Sequence, residues 1–159
     1  MNIFPYENQL AVSYARKWAY SRNPNYFNFD NLGGDCTNFV SQCLYAGCKV
    51  MNYTTTFGWY YNSINDRAPA WTGVDEFYSF LSMNNGIGPF AKEVLYSDLV
   101  VGDFISLYRD GKYFHNVIIT KIHGGEIYTA SHTRDSYDKP LSSYRYFKAR
   151  YIHVLGYRK

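Results

Sequence analysis

Apolar residues in the first half of the chain recur at the spacing of an α-helix. From Tyr6 to Arg22 they repeat every three to four residues, and Asn23-Pro24 ends this pattern because proline disfavours a helical residue before it. A second helix is predicted from Cys36 to Ala46, with Gly47 as its C-terminal cap, and a third from Val74 to Met83. The first half is therefore predicted to consist of helices joined by loops.

The second half of the chain has the texture of β-strands. Its segments VVGDFISLY, FHNVIITKI, EIYTASH and YIHVLGYR are rich in β-branched and aromatic residues. Turns are predicted at Asp110-Gly111 and Gly124-Gly125. Helices followed by strands indicate an α+β fold with a mostly antiparallel sheet. No repeat or linker divides the chain, so residues 1–159 are predicted to form a single domain.

Composition excludes several classes of protein. Hydrophobic residues make up 47% and charged residues 18%, as in a folded globular domain rather than a disordered chain. The net charge is +3, but the basic residues are scattered, so no nucleic-acid partner is indicated. No apolar run reaches the roughly 18 residues of a membrane span. Oligomeric state stays open on these grounds.

The N-terminus and the cysteines bear on the compartment of the protein and on disulfide or zinc binding. The N-terminal residues lack the basic start and apolar middle of a signal peptide. The protein is therefore expected to be cytoplasmic, or extracellular or wall-associated if the chain is a mature fragment. Three cysteines without CxxC spacing suggest neither a disulfide framework nor a zinc site.

Cys36 differs from the other cysteines in its position. It follows Gly33-Gly34 and begins a predicted helix, where free N–H groups and the helix dipole favour a thiolate and could stabilise an oxyanion. The apolar side chains of this helix follow Cys36 at helical spacing: Phe39, Val40, Cys43 and Leu44. Cys36 is therefore predicted to face the sheet as a nucleophile, whereas Cys43 and Cys48 are predicted to be core residues.

A nucleophilic thiol needs a base, and the chain contains four histidines. His123 lies beside the Gly124-Gly125 turn and is predicted to be exposed, and His153 is predicted to be a structural residue of the last strand. His115 opens one strand and His132 closes the next. We therefore predict that His115 is the base that takes the proton from the thiol.

The role of His132 depends on the register of a predicted hairpin. If Gly124-Gly125 is the loop, His132 lies opposite Val117, and if the loop is shifted back by one residue it lies opposite His115. Both registers put the two histidines on one face, so His132 could orient the imidazole of His115. A three-residue loop would instead place Thr133 opposite His115, and Asp135 is the alternative orienting group.

Two further residues are candidates for substrate binding. Asp35 directly precedes the nucleophile and is expected either to cap the helix or to contact a substrate amine. Trp59 is expected either to line a groove or to pack in the core. The chemistry predicted for Cys36 and His115 needs no metal or organic cofactor.

The motifs resemble those of a known group of enzymes. The segments GGDCTNFVSQCL, LVVGDFISL, FHNVIIT and ASHTRDSYDKPLSSY are similar to bacterial amidase domains related to the papain-like NlpC/P60 and CHAP peptidases. The resemblance implies a papain-like fold, with Cys36 as nucleophile, His115 as base and His132 at the third polar position of a Cys-His-His triad.

The same resemblance implies an activity and a substrate class. Enzymes of these families cleave amide bonds through a thioester, frequently in peptidoglycan peptides. An acyltransferase or transpeptidase on the same scaffold is the alternative. A non-catalytic wall-binding module is a third possibility, against which the presence of both Cys36 and His115 counts.

Overall fold

A seven-stranded sheet runs through the protein, whose residues 1–159 are all described by a computed structural model. The helices are α1 (Asn8–Trp18), α2 (Cys36–Cys48), α3 (Pro69–Thr72) and α4 (Val74–Met83). The strands are β1 (Ile3–Phe4), β2 (Tyr61–Ser63), β3 (Asp66–Arg67), β4 (Gly88–Glu93), β5 (Phe104–Arg109), β6 (Lys112–His123), β7 (Glu126–Ser131), β8 (Ser136–Pro140) and β9 (Lys148–Arg158). None of the helices combines the length and the apolar character needed to cross a membrane.

The sheet has the order β1-β9-β5-β6-β7-β8, and β4 also pairs with β9. Every strand pair is antiparallel, and β2 and β3 form a separate two-stranded ribbon. The predicted α+β class with a mostly antiparallel sheet is therefore confirmed. The helix predicted at Val74–Met83 also has the predicted bounds.

The end of α2 differs from the prediction. The helix continues through Gly47 to Cys48, and Lys49 takes the left-handed cap conformation with a φ of 58°. Gly47 is instead a packing requirement, because the ring of Tyr6 occupies the space that a Cβ at this position would need. Small size, rather than a cap conformation, is what this position demands.

The two faces of the central sheet carry different cores. On one face, Phe104 of β5 and Ile118 of β6 pack with Phe39 and other buried residues of the helices. The alternate residues of the same strands, among them Leu107 and Val117, form a smaller cluster on the opposite face. This alternation follows from the two-residue period of a strand. Full burial of a side chain such as Phe104 stabilises the fold by about 1.5–3 kcal/mol.

A β-bulge sets the register between β6 and β7. His123 pairs with Glu126, so Gly124-Gly125 is the two-residue loop. The register then shifts between Ile119 and Lys121, and Ile118 pairs with Ala130. One extra residue in a strand moves every following side chain of that strand to the opposite face of the sheet. The bulge therefore decides which face each histidine of this hairpin occupies.

Candidate active site

Cys36 is the first residue of α2 and lies at the wall of a cavity of about 650 Å³. The preceding Gly33 and Gly34 have φ angles of 85° and 99°, which glycine adopts without steric cost. Cys36 is 8% exposed, whereas Cys43 and Cys48 are 0% and 1% exposed. Among the three thiols, that of Cys36 is therefore the one that the cavity makes accessible.

The surroundings of Cys36 favour a neutral thiol at rest. Burial raises the pKa of Cys36, and hydrogen bonds from the backbone N–H groups of Asn116 and Thr37 offset only part of this effect. The hydroxyl of Thr37 lies 3.8 Å from the sulfur. The expected thiolate at the helix N-terminus is therefore not the resting state, because the cost of burying a charge outweighs the local dipoles.

His115 lines the same cavity as Cys36. Its side chain makes no hydrogen bond within the chain, yet neither ring nitrogen is fully enclosed, so both remain accessible from the cavity. Burial, together with the nearby charges of Lys139 and Arg109, lowers the pKa of His115 from 6.5 to about 4. The imidazole is therefore neutral near pH 7 and able to accept a proton.

No hydrogen bond joins the thiol of Cys36 to the imidazole of His115. The sulfur instead lies against the backbone N–H of Asn116, the residue that follows His115 in β6. The structure thus brings the predicted nucleophile and base to one cavity without a hydrogen bond between them. Catalytic hydrogen bonds are often long or absent before substrate binds.

His132 does not accompany His115. Its Nδ1 lies 2.5 Å from Oδ2 of Asp35, and its Nε2 lies 2.8 Å from the carbonyl oxygen of Trp18. Its ring stacks on Phe39 of α2, with the ring centroids 4.0 Å apart. The expectation that His132 orients His115 is therefore corrected. The bulge in β6 places His132 in line with Asn116 on the helix-covered face, whereas His115 pairs with Leu107 of the opposite face.

Asp35 occupies the N-cap position of α2, but its buried carboxylate bonds to other parts of the chain. Its carboxylate forms no capping bond to α2 and accepts hydrogen bonds from the N–H of Phe29 at 2.8 Å and the amide of Asn38 at 2.9 Å. Burial alone would raise the pKa of Asp35, but hydrogen bonds from His132, Asn38 and Phe29 lower it below its usual value. Asp35 thus stands at the expected N-cap position without making the expected capping bond, and contact with a substrate amine is contradicted because Asp35 is 0% exposed.

Asp135 is also occupied elsewhere. Its two carboxylate oxygens accept hydrogen bonds from Arg22 at 2.9 and 3.0 Å. Arg22 in turn pairs with Asp30 at 3.0 Å and approaches Asp35 at 3.6 Å. Asp135 is therefore not the partner of His115 either, and it fixes the residues after β7 to the end of α1.

With the geometry of the site described, comparison with known proteins identifies the family. The sequence model of the family described as "Putative amidase domain" matches residues 5–155. The chain belongs to this family. Membership supports an amidase, a hydrolase that cleaves amide bonds.

Two curated relatives of this amidase-family chain come from Bacillus subtilis strain 168. The uncharacterized protein YhbB is 33% identical over 73% of the chain and 37% of its own length. The uncharacterized protein YjcM is 29% identical over 85% of the chain and 32% of its own length. The chain therefore spans about a third of the length of these relatives. No solved structure matches it.

Trp59 packs in the core of the amidase domain. It is 0% exposed, and its indole N–H donates to the hydroxyl of Ser41 at 3.0 Å. Its ring lies 4.7 Å from the ring of Trp71, centroid to centroid. The expectation that Trp59 lines a groove is corrected, because its ring packs against Trp71 of α3 and Phe80 of α4. Of the two other assigned histidines, His153 bonds to Asp103 at 2.8 Å, and His123 is exposed beside its turn, as predicted.

Sequence reasoning missed the charged wall of the cavity. Four basic residues line it: Arg109, Arg134, Lys139 and Arg145. They are scattered along the chain, so no charge cluster marks them in the sequence. In the structure, the turn after β7 distinguishes one of them, because Thr133 and Arg134 have φ angles of 66° and 60°. Such left-handed conformations are uncommon outside glycine and recur at functional sites.

Proposed function

We propose that this chain is a cysteine-dependent amidase in which Cys36 attacks the carbonyl carbon of an amide. The observation that carries the proposal is that Cys36, at the N-terminus of α2, and His115 line one open cavity. A thiol and a neutral imidazole in one pocket supply the nucleophile and base of acyl transfer. Residues 1–159 act as a single amidase domain in this proposal.

The first half of the reaction forms a thioester. His115 accepts the proton of the thiol, through one bridging water or after rotation of its unbonded ring, and the sulfur attacks the carbonyl. The N–H groups of the first turn of α2, which the side chain of Asp35 leaves uncapped, then face the developing oxyanion. The C–N bond breaks as the imidazolium of His115 protonates the leaving amine.

The second half releases the acid. Water attacks the thioester carbonyl while His115 accepts one of its protons, and the C–S bond breaks to regenerate the thiol of Cys36. Since the thiol rests neutral, a charged nucleophile forms only when His115 and a substrate are both in place. Every step uses side chains and backbone groups of this chain, without a cofactor.

The finer assignment concerns relationship and substrate. A helix that presents a cysteine against an antiparallel sheet that presents a histidine supports a papain-like relationship to the NlpC/P60 and CHAP peptidases. That relationship favours peptidoglycan peptides as the substrate. In this proposal, His132 acts through Asp35 as a positioning residue rather than as the third member of a triad.

Hydrolysis of peptidoglycan peptides tests the proposal. Purified muropeptides are incubated with the wild type, with Cys36→Ala and with Cys43→Ala as the matched control, and the newly released amines are quantified. We expect turnover by the wild type and by Cys43→Ala, and none by Cys36→Ala. Turnover that survives in Cys36→Ala would overturn the assignment of the nucleophile.

An added amine separates hydrolysis from acyl transfer. When hydroxylamine is present, a thioester on Cys36 partitions between water and the amine, and the hydroxamate product reports the second path. A dominant hydroxamate at low hydroxylamine would identify a transferase. Muropeptides that bind to the wild type and are recovered intact would identify a wall-binding module instead.

A further inference from the structure

The cavity that contains Cys36 has a strongly basic wall. Its lining includes the side chains of Arg109, Arg134, Lys139 and Arg145, and Asp110 is its one acidic member. The lining therefore carries as large a positive excess as the whole chain, whose net charge is +3. Basic and acidic residues balance each other over the rest of the protein. The excess positive charge lies around the opening that leads to the thiol of Cys36.

Most of this charge is not neutralised within the protein. Arg134, Lys139 and Arg145 form no salt bridge, and Arg109 makes one long contact of 3.6 Å to Asp110. By contrast, the half-buried Arg22, which lies outside the cavity, pairs with Asp30, Asp35 and Asp135. The cationic groups of the cavity are thus available to a ligand, in contrast to those that stabilise the fold.

The fold also holds two of these cations in place. The ammonium of Lys139 lies 4.2 Å from the ring centroid of Tyr144, and the guanidinium of Arg109 lies 4.1 Å from that of Phe114. The guanidinium of Arg109 further donates to the carbonyl oxygen of Arg145 at 2.9 Å. Cations that are restrained around a cavity attract an anion more strongly than free surface lysines do.

We propose that the substrate of Cys36 is an amide that carries an oxyanion group, a carboxylate or a phosphate, close to the bond that is cleaved. Arg134, Lys139 and Arg145 bind this group and orient the amide carbonyl over the sulfur. The inference rests on the proposed function, because it names the substrate class of the same cavity. It adds specificity, since a neutral amide of the same size lacks the group that these residues recognise.

Two alkylating agents of similar size test the inference without a known substrate. Iodoacetate is anionic and iodoacetamide is neutral, so the ratio of their rates at Cys36 measures the preference of the cavity for negative charge. Relative to the same ratio for the uncharged thiol N-acetylcysteine amide, we expect an increase on the order of tenfold at low ionic strength. Added salt should reduce it, since the Debye length falls to about 10 Å at 0.1 M.

A matched pair of variants separates the cavity from the overall charge. Arg134→Gln/Lys139→Gln/Arg145→Gln removes the three unpaired cations, and Lys17→Gln/Lys92→Gln/Lys159→Gln removes three charges outside the cavity. We expect the first variant to lower the rate ratio to that of N-acetylcysteine amide and the second to preserve it. A ratio equal to that of the free thiol in the wild type, at low as at high salt, would overturn the inference. If the first variant fails to fold, the salt dependence of the wild type decides the matter.

Protection experiments distinguish the two kinds of oxyanion. Glutarate and inorganic phosphate are each titrated against labelling of Cys36 by iodoacetamide. Stronger protection by glutarate assigns a carboxylate, and stronger protection by phosphate assigns a phosphate, whereas no protection by either contradicts the inference. Failure of the proposed function has a different signature, because Cys36 would then react with iodoacetamide no faster than Cys43 and Cys48.

Discussion

His115 lies in β6 and His132 directly follows the neighbouring strand β7, yet the two histidines have opposite surroundings. The ring of His115 makes no hydrogen bond and lines the cavity with Cys36. The ring of His132 bonds to Asp35 and to the carbonyl of Trp18 while it stacks on Phe39. A histidine whose nitrogens are both engaged stabilises the fold, whereas one with free nitrogens is able to move protons.

The difference originates in one extra residue. Without the bulge between Ile119 and Lys121, the alternation of strands would place both histidines on the same face. With it, His132 reaches the helix-covered face and holds Asp35, the residue directly before Cys36. In the proposed mechanism, His115 therefore transfers protons, whereas His132 holds the residue that precedes the nucleophile.

The largest expected effect concerns catalysis. Replacing His115 with Gln removes the base and should reduce amide hydrolysis by about 10²–10⁴-fold, the usual contribution of general acid–base catalysis. The melting temperature should change little, because the side chain has no hydrogen-bond partner to lose. The measurement is the initial rate on muropeptides together with a thermal melt of the same preparation.

His132 should respond in the opposite way. His132→Ala leaves the buried carboxylate of Asp35 without one of its donors, which should lower the free energy of unfolding by about 3 kcal/mol. The matched change His115→Ala should cost about 1 kcal/mol, as for an ordinary substitution. Urea denaturation measures both. Equal losses in the two variants would show that the division between the two histidines is wrong.

The depressed pKa of His115 predicts a pH dependence of stability. Between its ordinary pKa of 6.5 and its folded value of about 4, the unfolded chain binds more protons than the folded one. The contribution of the neutral ring is therefore complete above pH 6.5 and is lost as the pH falls towards 4. Relative to His115→Gln, the wild type should lose on the order of 3 kcal/mol over this range. Parallel pH profiles of the two proteins would contradict this.

The smallest expected effect concerns a third histidine. His153 bonds to Asp103, whose pKa is raised by burial despite hydrogen bonds from Val100, His153 and Val154. Because the side chain of His153 is 28% exposed, water can replace part of its contact. His153→Gln should therefore cost about 1 kcal/mol in urea denaturation. A loss as large as that of His132→Ala would remove the distinction between a buried and a half-exposed pair.

Local patterns in the sequence predicted the fold class and several elements. The apolar stripe of Val74–Met83 and the polar breakers after it define α4, and the glycine pair defines the loop between β6 and β7. β4 was missed, because Gly88-Pro89 is typical of a turn and the strand pairs with β9, which is distant in sequence. Pairing between strands that lie so far apart in sequence leaves no local pattern from which it could be predicted.

The candidate site likewise contains residues that the sequence predicted and residues that it did not. A glycine-rich approach to a helix predicted the position of Cys36, and the start of a strand predicted that of His115. The bulge that removes His132 from His115 contains no glycine or proline, so no local signal in the sequence marks it. Two of the four basic residues of the cavity, Lys139 and Arg145, lie in β8 and after it, in a region where the sequence predicted no strand.

The reactivity of the three thiols towards iodoacetamide is the most direct test of Cys36 as the nucleophile. Labelling near neutral pH, followed by peptide mapping, gives separate rates for Cys36, Cys43 and Cys48 in the wild type and in His115→Ala. We expect Cys36 to react much faster than the two core cysteines, and His115→Ala to slow this reaction while leaving the others unchanged. Equal rates at all three thiols would contradict the assignment of Cys36 as the nucleophile.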